Sequence, residues 1–159
     1  WLENANDWNL SRSRFWGIPL PIWKTEDGNE TKIISSINEL KNELQKSVEH
    51  GHMIKNPISN FVGGDMSNEN YEKVDLHKQH TDKMILTSST GKPMFREKDL
   101  IDVWFDSGSM PYAQWHYPFE NKEKIESNES FPADYIAEGV DQTRGWFYTL
   151  HAILSLIHI

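Results

Sequence analysis

Within nine residues, Glu138-Gly139-Val140-Asp141-Gln142-Thr143-Arg144-Gly145-Trp146, the chain sets two carboxylates, an amide, a guanidinium, two glycines and an indole. Carboxylates at this density repel phosphates unless a metal intervenes, so an ammonium group or ribose hydroxyls are their natural partners. Such groups orient a small ligand rather than act as a general base. A second block, Asp102-Val103-Trp104-Phe105-Asp106-Ser107-Gly108-Ser109, has the same mixed character. Each residue also has a plainer reading: Asp141 as a helix N-cap, Glu138 as a surface residue at a strand end, and Trp104 and Trp146 as core.

These groups need elements to carry them. Tyr135-Ile136-Ala137 is a short apolar run suited to a buried strand, and Trp146, Phe147, Leu150, Ile153, Leu154 and Ile157 recur at helical spacing. Strand, glycine turn, acidic residue and helix, in that order, match the carboxyl edge of an α/β sheet, where ligands bind. Upstream, residues 7–23 are aromatic and basic, with a short helix or turn expected over Ser11–Trp16. Pro19-Leu20-Pro21 then forbids a helix interior and predicts extended chain. Residues 24–98 are polar and uneven. Leu20–Trp23 and Lys32–Ile34 flank a turn at Glu26-Asp27-Gly28-Asn29 as a hairpin. Ser36 with Glu39 forms a capping box for a helix whose apolar face is Ile37, Leu40, Leu44 and Val48, with Gly51 as its stop. Residues 60–70 read as loop, and Met84–Thr87 and Met94–Arg96 as strands around Thr90-Gly91-Lys92-Pro93.

Composition narrows the classes. The 159 residues are enough for one domain with a core, yet the chain begins at Trp1 and stops at Ile159 within a helical pattern, so both ends read as cut. A formal net charge of −8 argues against nucleic-acid binding through overall charge. The absence of cysteine removes disulfides and thiolate zinc sites from this segment and fits a cytosolic setting. The polar start has no signal-peptide character, and the last apolar run is shorter than the roughly 20 residues a membrane span needs.

Other motifs carry less. His77-Lys78-Gln79-His80, flanked by Asp75 and Asp82, has metal-ligand atom types but reads as a solvated loop. Gly63-Gly64 is no phosphate-binding fingerprint, and Ser107 and Ser109 lack a nucleophile-elbow context. Arg12 and Arg14 alternate with aromatics, a pattern that fits contact with a phosphate backbone or a base, and equally a salt-bridged face.

Asp7-Trp8-Asn9-Leu10-Ser11-Arg12-Ser13-Arg14-Phe15-Trp16-Gly17-Ile18-Pro19-Leu20-Pro21 resembles the segment with which large class I aminoacyl-tRNA synthetases return to their catalytic core after the editing insertion. The isoleucine, valine and leucine enzymes share it. Asp102 to Gly108 narrows the group, and Glu138-Gly139-x-Asp141-Gln142-x-Arg144-Gly145-Trp146-Phe147 is similar to isoleucyl-tRNA synthetases. Ser109-Met110-Pro111-Tyr112-Ala113-Gln114 looks like their eukaryote-like form, which some bacteria also carry.

The resemblance implies the second half of a Rossmann-like nucleotide-binding α/β core interrupted by an α+β connective insertion. Residues 1–23 would be the return segment, 24–98 the insertion and 99–159 the core half. It implies an ATP-dependent ligase with Mg²⁺ that joins isoleucine to tRNA(Ile), cytoplasmic and monomeric at full length. On the family pattern Glu138 contacts the aminoacyl-adenylate, Gly139, Asp141 and Gln142 line the adenylate and amino-acid site, and Trp104 and Trp146 wall the isoleucine side-chain pocket. Arg12 and Arg14 would be candidate tRNA contacts. The HIGH and KMSKS motifs do not occur in these residues, nor do the insertion cysteines that bind zinc in some relatives, and Leu154–Ile159 departs from the family's usual continuation. Alone, the chain is expected not to aminoacylate. The rival readings are a valine- or leucine-type relative, and a non-catalytic module that kept the nucleotide or amino-acid pocket. From bare chemistry, a carbohydrate site built on seven tryptophans and clustered carboxylates also stands.

Overall fold

Alternation and turn chemistry build the first elements. The computed structural model describes residues 7–13 and 17–157. β1 (Ser11–Arg12) is a strand where a helix or turn was expected; the Asn9 side chain accepts from Ser11 N at 3.1 Å and turns the chain into it. The rest of that expectation, residues 14–16 with Arg14, lies outside the described residues. The proline-bearing stretch is extended, as β2 (Gly17–Pro19). β3 (Ile22–Thr25) and β4 (Thr31–Ile33) form the expected antiparallel hairpin, with Trp23 opposite Lys32 and Gly28 at φ +70° in the turn. α1 (Ile37–Glu49) starts at Ser36, whose hydroxyl accepts from Glu39 N at 3.1 Å. The Glu39 carboxylate closes the box one residue early, accepting from Ser35 N at 2.8 Å and Ser35 Oγ at 2.6 Å. His50 caps the helix, and Gly51 follows at φ +78°.

Residues 13–100 form one compact unit. Its four-stranded sheet runs β4-β3-β6-β5, where β5 is Leu86–Thr87 and β6 is Pro93–Arg96. Trp23 and Met94 point inward against Leu40 and Leu44 of α1, with Ile34, Ile58, Met84 and Leu86 completing the cluster. The polar texture of 24–98 thus conceals a core, because period-2 strands and one amphipathic helix need few apolar residues to close it. The buried indole keeps its polar atom satisfied, Trp23 Nε1 donating to Met84 O at 2.8 Å. Lys32 reaches Glu43 at 2.5 Å and Thr87 O at 3.1 Å. Burial pushes the Glu43 carboxyl up, but the Lys32 and Lys46 ammonium groups outweigh it and hold it below its ordinary range.

Loop 60–70 is organised by one amide. Asn70 is fully buried; its Oδ1 accepts from Val62 N, and its Nδ2 donates to Val62 O and Asp65 O, all within 2.8–2.9 Å. Asn70 sits in α2 (Asn68–Tyr71), and α3 (Lys78–Thr81) follows. Arg96 is buried on β6, with Nε and Nη2 on Asp82 Oδ1 at 2.7 and 2.5 Å.

The second unit comprises residues 1–12 and 101–159. Here β1 lies beside β7 (Leu100–Asp102), with Asp102 N donating to Leu10 O at 2.7 Å. α4 (Val103–Gly108), α5 (Met110–Ala113) and α6 (Lys122–Glu126) follow, then a 3-10 turn over Val140–Arg144 and α7 (Trp146–Ile157). α7 buries Trp146, Leu150 and Ile153, one face at helical spacing, whereas Phe147, expected with them, is exposed. Gly108 lets α4 approach it: a Cβ there would lie 2.7 Å from Ile153 Cδ1 and 3.3 Å from the Thr149 backbone.

The expected buried strand at Tyr135–Ala137 does not form. The stretch is irregular and exposed, Tyr135 at 84% and Ile136 also open. A strand buried on both faces is fixed by neighbours on both edges, and no described strand of this unit pairs with it. Helices and short strands are mixed in the chain, and every pairing of the four-stranded sheet is antiparallel.

Candidate functional site

Three separate stretches of the second unit converge on a hollow of about 630 Å³. Trp8 and Arg12 come from the N-terminal segment, Asp102 and Trp104 from the β7–α4 junction, and Arg144, Tyr148 and Thr149 from the 3-10 turn and α7. Gly145, at φ +97°, makes the sharp step between that turn and the helix, a conformation that strains any side chain.

Asp102 is the hub. It is 2% exposed and stands at the N-cap of α4, where Oδ1 accepts from Trp104 N at 3.2 Å. Its other oxygen accepts from Trp8 Nε1 at 2.9 Å and Arg12 Nη2 at 2.6 Å. One buried carboxylate therefore holds the N-terminal segment and the Trp104 backbone together, and leaving any of these donors unmatched would cost about 1–3 kcal/mol.

The two arginines differ. Arg12 is committed to Asp102 and to the carbonyls of Asn9 and Ser11, at 2.7 and 2.9 Å. Arg144 is 68% exposed, with Asp141 as its ion-pair partner at a loose 3.6 Å. The hollow thus combines the indole and phenol faces of Trp8, Trp104 and Tyr148 with one available cation, a character that fits a ligand with an apolar or planar part and an anionic group.

Of the residues expected to bind, Trp104 is half-buried and lines the hollow. Trp146 is 6% exposed and packs in the α4–α7 interface, its Nε1 donating to Ser107 Oγ at 2.9 Å. Glu138, Gly139, Asp141 and Gln142 lie on the open stretch and the 3-10 turn beside the hollow's Arg144, not among its lining residues. Glu138 Oε1 accepts from Gly139 N at 2.7 Å, and Gln142 Oε1 accepts from Glu138 N at 3.3 Å. Of the candidate tRNA contacts, Arg12 spends its donors within its own unit, and Arg14 is outside the described residues. At the histidine cluster, Asp75 lies 2.7 Å from His77 Nδ1 and 3.1 Å from His80 Nε2. Among the described residues no three acidic or imidazole side chains converge as a metal site.

Sequence reasoning gave no role to Trp8, Tyr148 or the carboxylate of Asp102. The N-cap of α4 was findable, an aspartate two residues before Trp104 at a helix start. Its bonds to residues 94 and 90 positions away were not, because no local pattern encodes them.

The family model described as tRNA synthetases class I (I, L, M and V) matches residues 1–158. A protein of Bacteroides fragilis named isoleucine–tRNA ligase is 64% identical over 159 residues, covering 99% of this chain and 14% of that protein. The isoleucine–tRNA ligase of Porphyromonas gingivalis is 62% identical over 157 residues, covering 99% and 14%. A cytoplasmic isoleucine–tRNA ligase of Arabidopsis thaliana is 47% identical over 160 residues, covering 99% and 11%. The chain spans about one seventh of the length of the bacterial relatives.

Proposed function

The chain belongs to the class I tRNA synthetases that serve isoleucine, leucine, methionine and valine, and from that premise we propose that it is a segment of an isoleucine–tRNA ligase. The whole enzyme would activate isoleucine with ATP to isoleucyl-adenylate and pass it to tRNA(Ile), as a cytoplasmic monomer. The observation that carries the reading is identity of 62–64% to isoleucine–tRNA ligases along 99% of the chain. In this proposal residues 1–23 are the return segment, 24–98 a connective insertion and 99–159 the second half of a Rossmann-like core. The segment alone would not aminoacylate.

The first chemical step needs no general base. A free amino acid's α-carboxyl, acidified by its own ammonium group, is already ionised at neutral pH and attacks the α-phosphate directly, releasing pyrophosphate. Catalysis then rests on positioning and on charge stabilisation. Trp104 and Trp146 would shape the isoleucine pocket, with Trp146 acting through the α4–α7 packing that sets the wall. Glu138, Gly139, Asp141 and Gln142 would hold the amine and ribose hydroxyls of the adenylate. Mg²⁺ would arrive with ATP, and the described residues offer no converging donor set for it. An apolar pocket gains only about 1–3 kcal/mol from one methylene, isoleucine against valine on these ligases being the reference case.

The test is isoleucine-dependent ATP–pyrophosphate exchange by the intact enzyme carrying Glu138→Ala. The expected result is a drop of tenfold or more with the fold retained, the order of about 1.4 kcal/mol in transition-state stabilisation. Exchange equal to the unsubstituted enzyme would remove Glu138 from the site. Failure of the unsubstituted enzyme to prefer isoleucine would remove the assignment itself.

A further inference from the structure

Asp102 makes more bonds than the start of α4 requires. An N-cap needs one acceptor, and a neutral asparagine or serine supplies it as well as an aspartate does. Here Oδ1 alone does the capping, at 3.2 Å from Trp104 N. Oδ2 takes two further donors, Trp8 Nε1 at 2.9 Å and Arg12 Nη2 at 2.6 Å. The Asp102 backbone N–H adds another tie to the same incoming segment, donating to Leu10 O at 2.7 Å. Arg12 in turn reaches the carbonyls of Asn9 and Ser11 through Nη1, at 2.7 and 2.9 Å, which fixes the turn that presents Trp8.

Among the described residues of its unit, Asp102 is the only acidic side chain that is buried. Desolvating a carboxylate is expensive, and a well-packed apolar residue in place of a buried ion pair often serves stability equally well or better. What the charge supplies instead is geometry. Trp8, Arg12 and Trp104 line one hollow, and each is fastened to this carboxylate, Trp8 by its ring and Trp104 by its backbone. We propose that Asp102 is a positioning residue for selection of the amino acid. It sets where α4 begins and how the Trp8 indole lies, and so the spacing of the two aromatic walls. Both of its oxygens are occupied by protein donors, so it acts through those walls and not on the ligand. The inference rests on the ligase reading above, in which Trp104 walls the isoleucine pocket.

The experiment uses the intact ligase and isoleucine-dependent ATP–pyrophosphate exchange, with kcat and KM measured separately for isoleucine, valine and ATP. Asp102→Asn keeps the shape and an acceptor for the cap but removes the charge that holds Trp8 and Arg12. It should raise KM for isoleucine about tenfold and lower the isoleucine-over-valine ratio of kcat/KM about threefold, with KM for ATP unchanged. A residue that merely supports the fold behaves differently: less active enzyme lowers kcat and leaves the KM values and the ratio in place. That pattern overturns the proposal. Arg12→Gln, at a partly exposed side chain, should show the same signature more weakly. Asp102→Asn added to Arg12→Gln should cost less than it does alone, because one mooring is already cut; fully additive losses overturn the proposal. Should Asp102→Asn not fold, Arg12→Gln decides alone, and an unmoved KM for isoleucine with an unmoved ratio overturns it. Absence of isoleucine-dependent exchange in the unsubstituted enzyme would instead strike the ligase reading.

Discussion

At the residue scale the two tryptophans do unequal work. Trp104 faces the hollow with part of its ring open, whereas Trp146 is closed into the α4–α7 packing and tied to Ser107. Trp104→Ala should therefore enlarge the pocket at modest cost to stability. The ratio of kcat/KM for isoleucine over valine in activation should fall about fivefold, the loss of about 1 kcal/mol of discrimination. Trp146→Ala should loosen selection as well, but at about 3–5 kcal/mol of stability, because it vacates a buried site. Unchanged discrimination in both variants would take the isoleucine pocket away from this wall. Trp104 and Trp146 are recognisable from sequence because each sits in a dense polar block. Trp8 is not, since its part is set by a bond to Asp102 across 94 positions.

At the scale of elements, α4 and α7 meet where Gly108 leaves room for Ile153. Ile153→Val alone should cost about 0.5–1.5 kcal/mol, as buried methyl deletions do. In a Gly108→Ala background the same change removes the Cδ1 atom that the new methyl would strike, and should be neutral or stabilising. Hydrogen exchange of α7 amides in the intact enzyme reads the difference; additive effects would mean the two helices do not depend on that approach. α7, α1 and the β3–β4 hairpin were legible in the sequence because capping residues, turn glycines and apolar spacing act within a few positions. The strand expected at Tyr135–Ala137 shows the limit. Its apolar run fits a strand, but a strand exists by virtue of its neighbours, and propensity over three residues cannot supply them. β1 errs the other way: two residues with no strand signal become one because β7 lies alongside.

At the scale of the whole chain, the shifted carboxyl groups among the described residues all lie between Asp27 and Glu97. Hydrogen bonds from Ser35 hold Glu39 below its ordinary range, those from Ser89 do so for Glu30, and Lys24 does so for Glu97. For Glu43 and Asp82, burial pushes upward, but bonded cations outweigh it. A carboxyl group whose folded pKa is depressed adds stability above its unfolded value, near 4, and loses it as pH falls through the folded one. Residues 13–100 should therefore open to pepsin between about pH 4 and pH 2, with Glu43→Gln reducing that dependence. Equal acid sensitivity in residues 101–157 would contradict it. Asp102 has a longer reach. Since a single acidic group moors both the incoming strand and the chamber's far side, neither can drift without unseating the other. Descendants that retune what the chamber admits can exchange the Trp104 ring, which the anchor grips only by its backbone, but must keep that acid and its donors as a set.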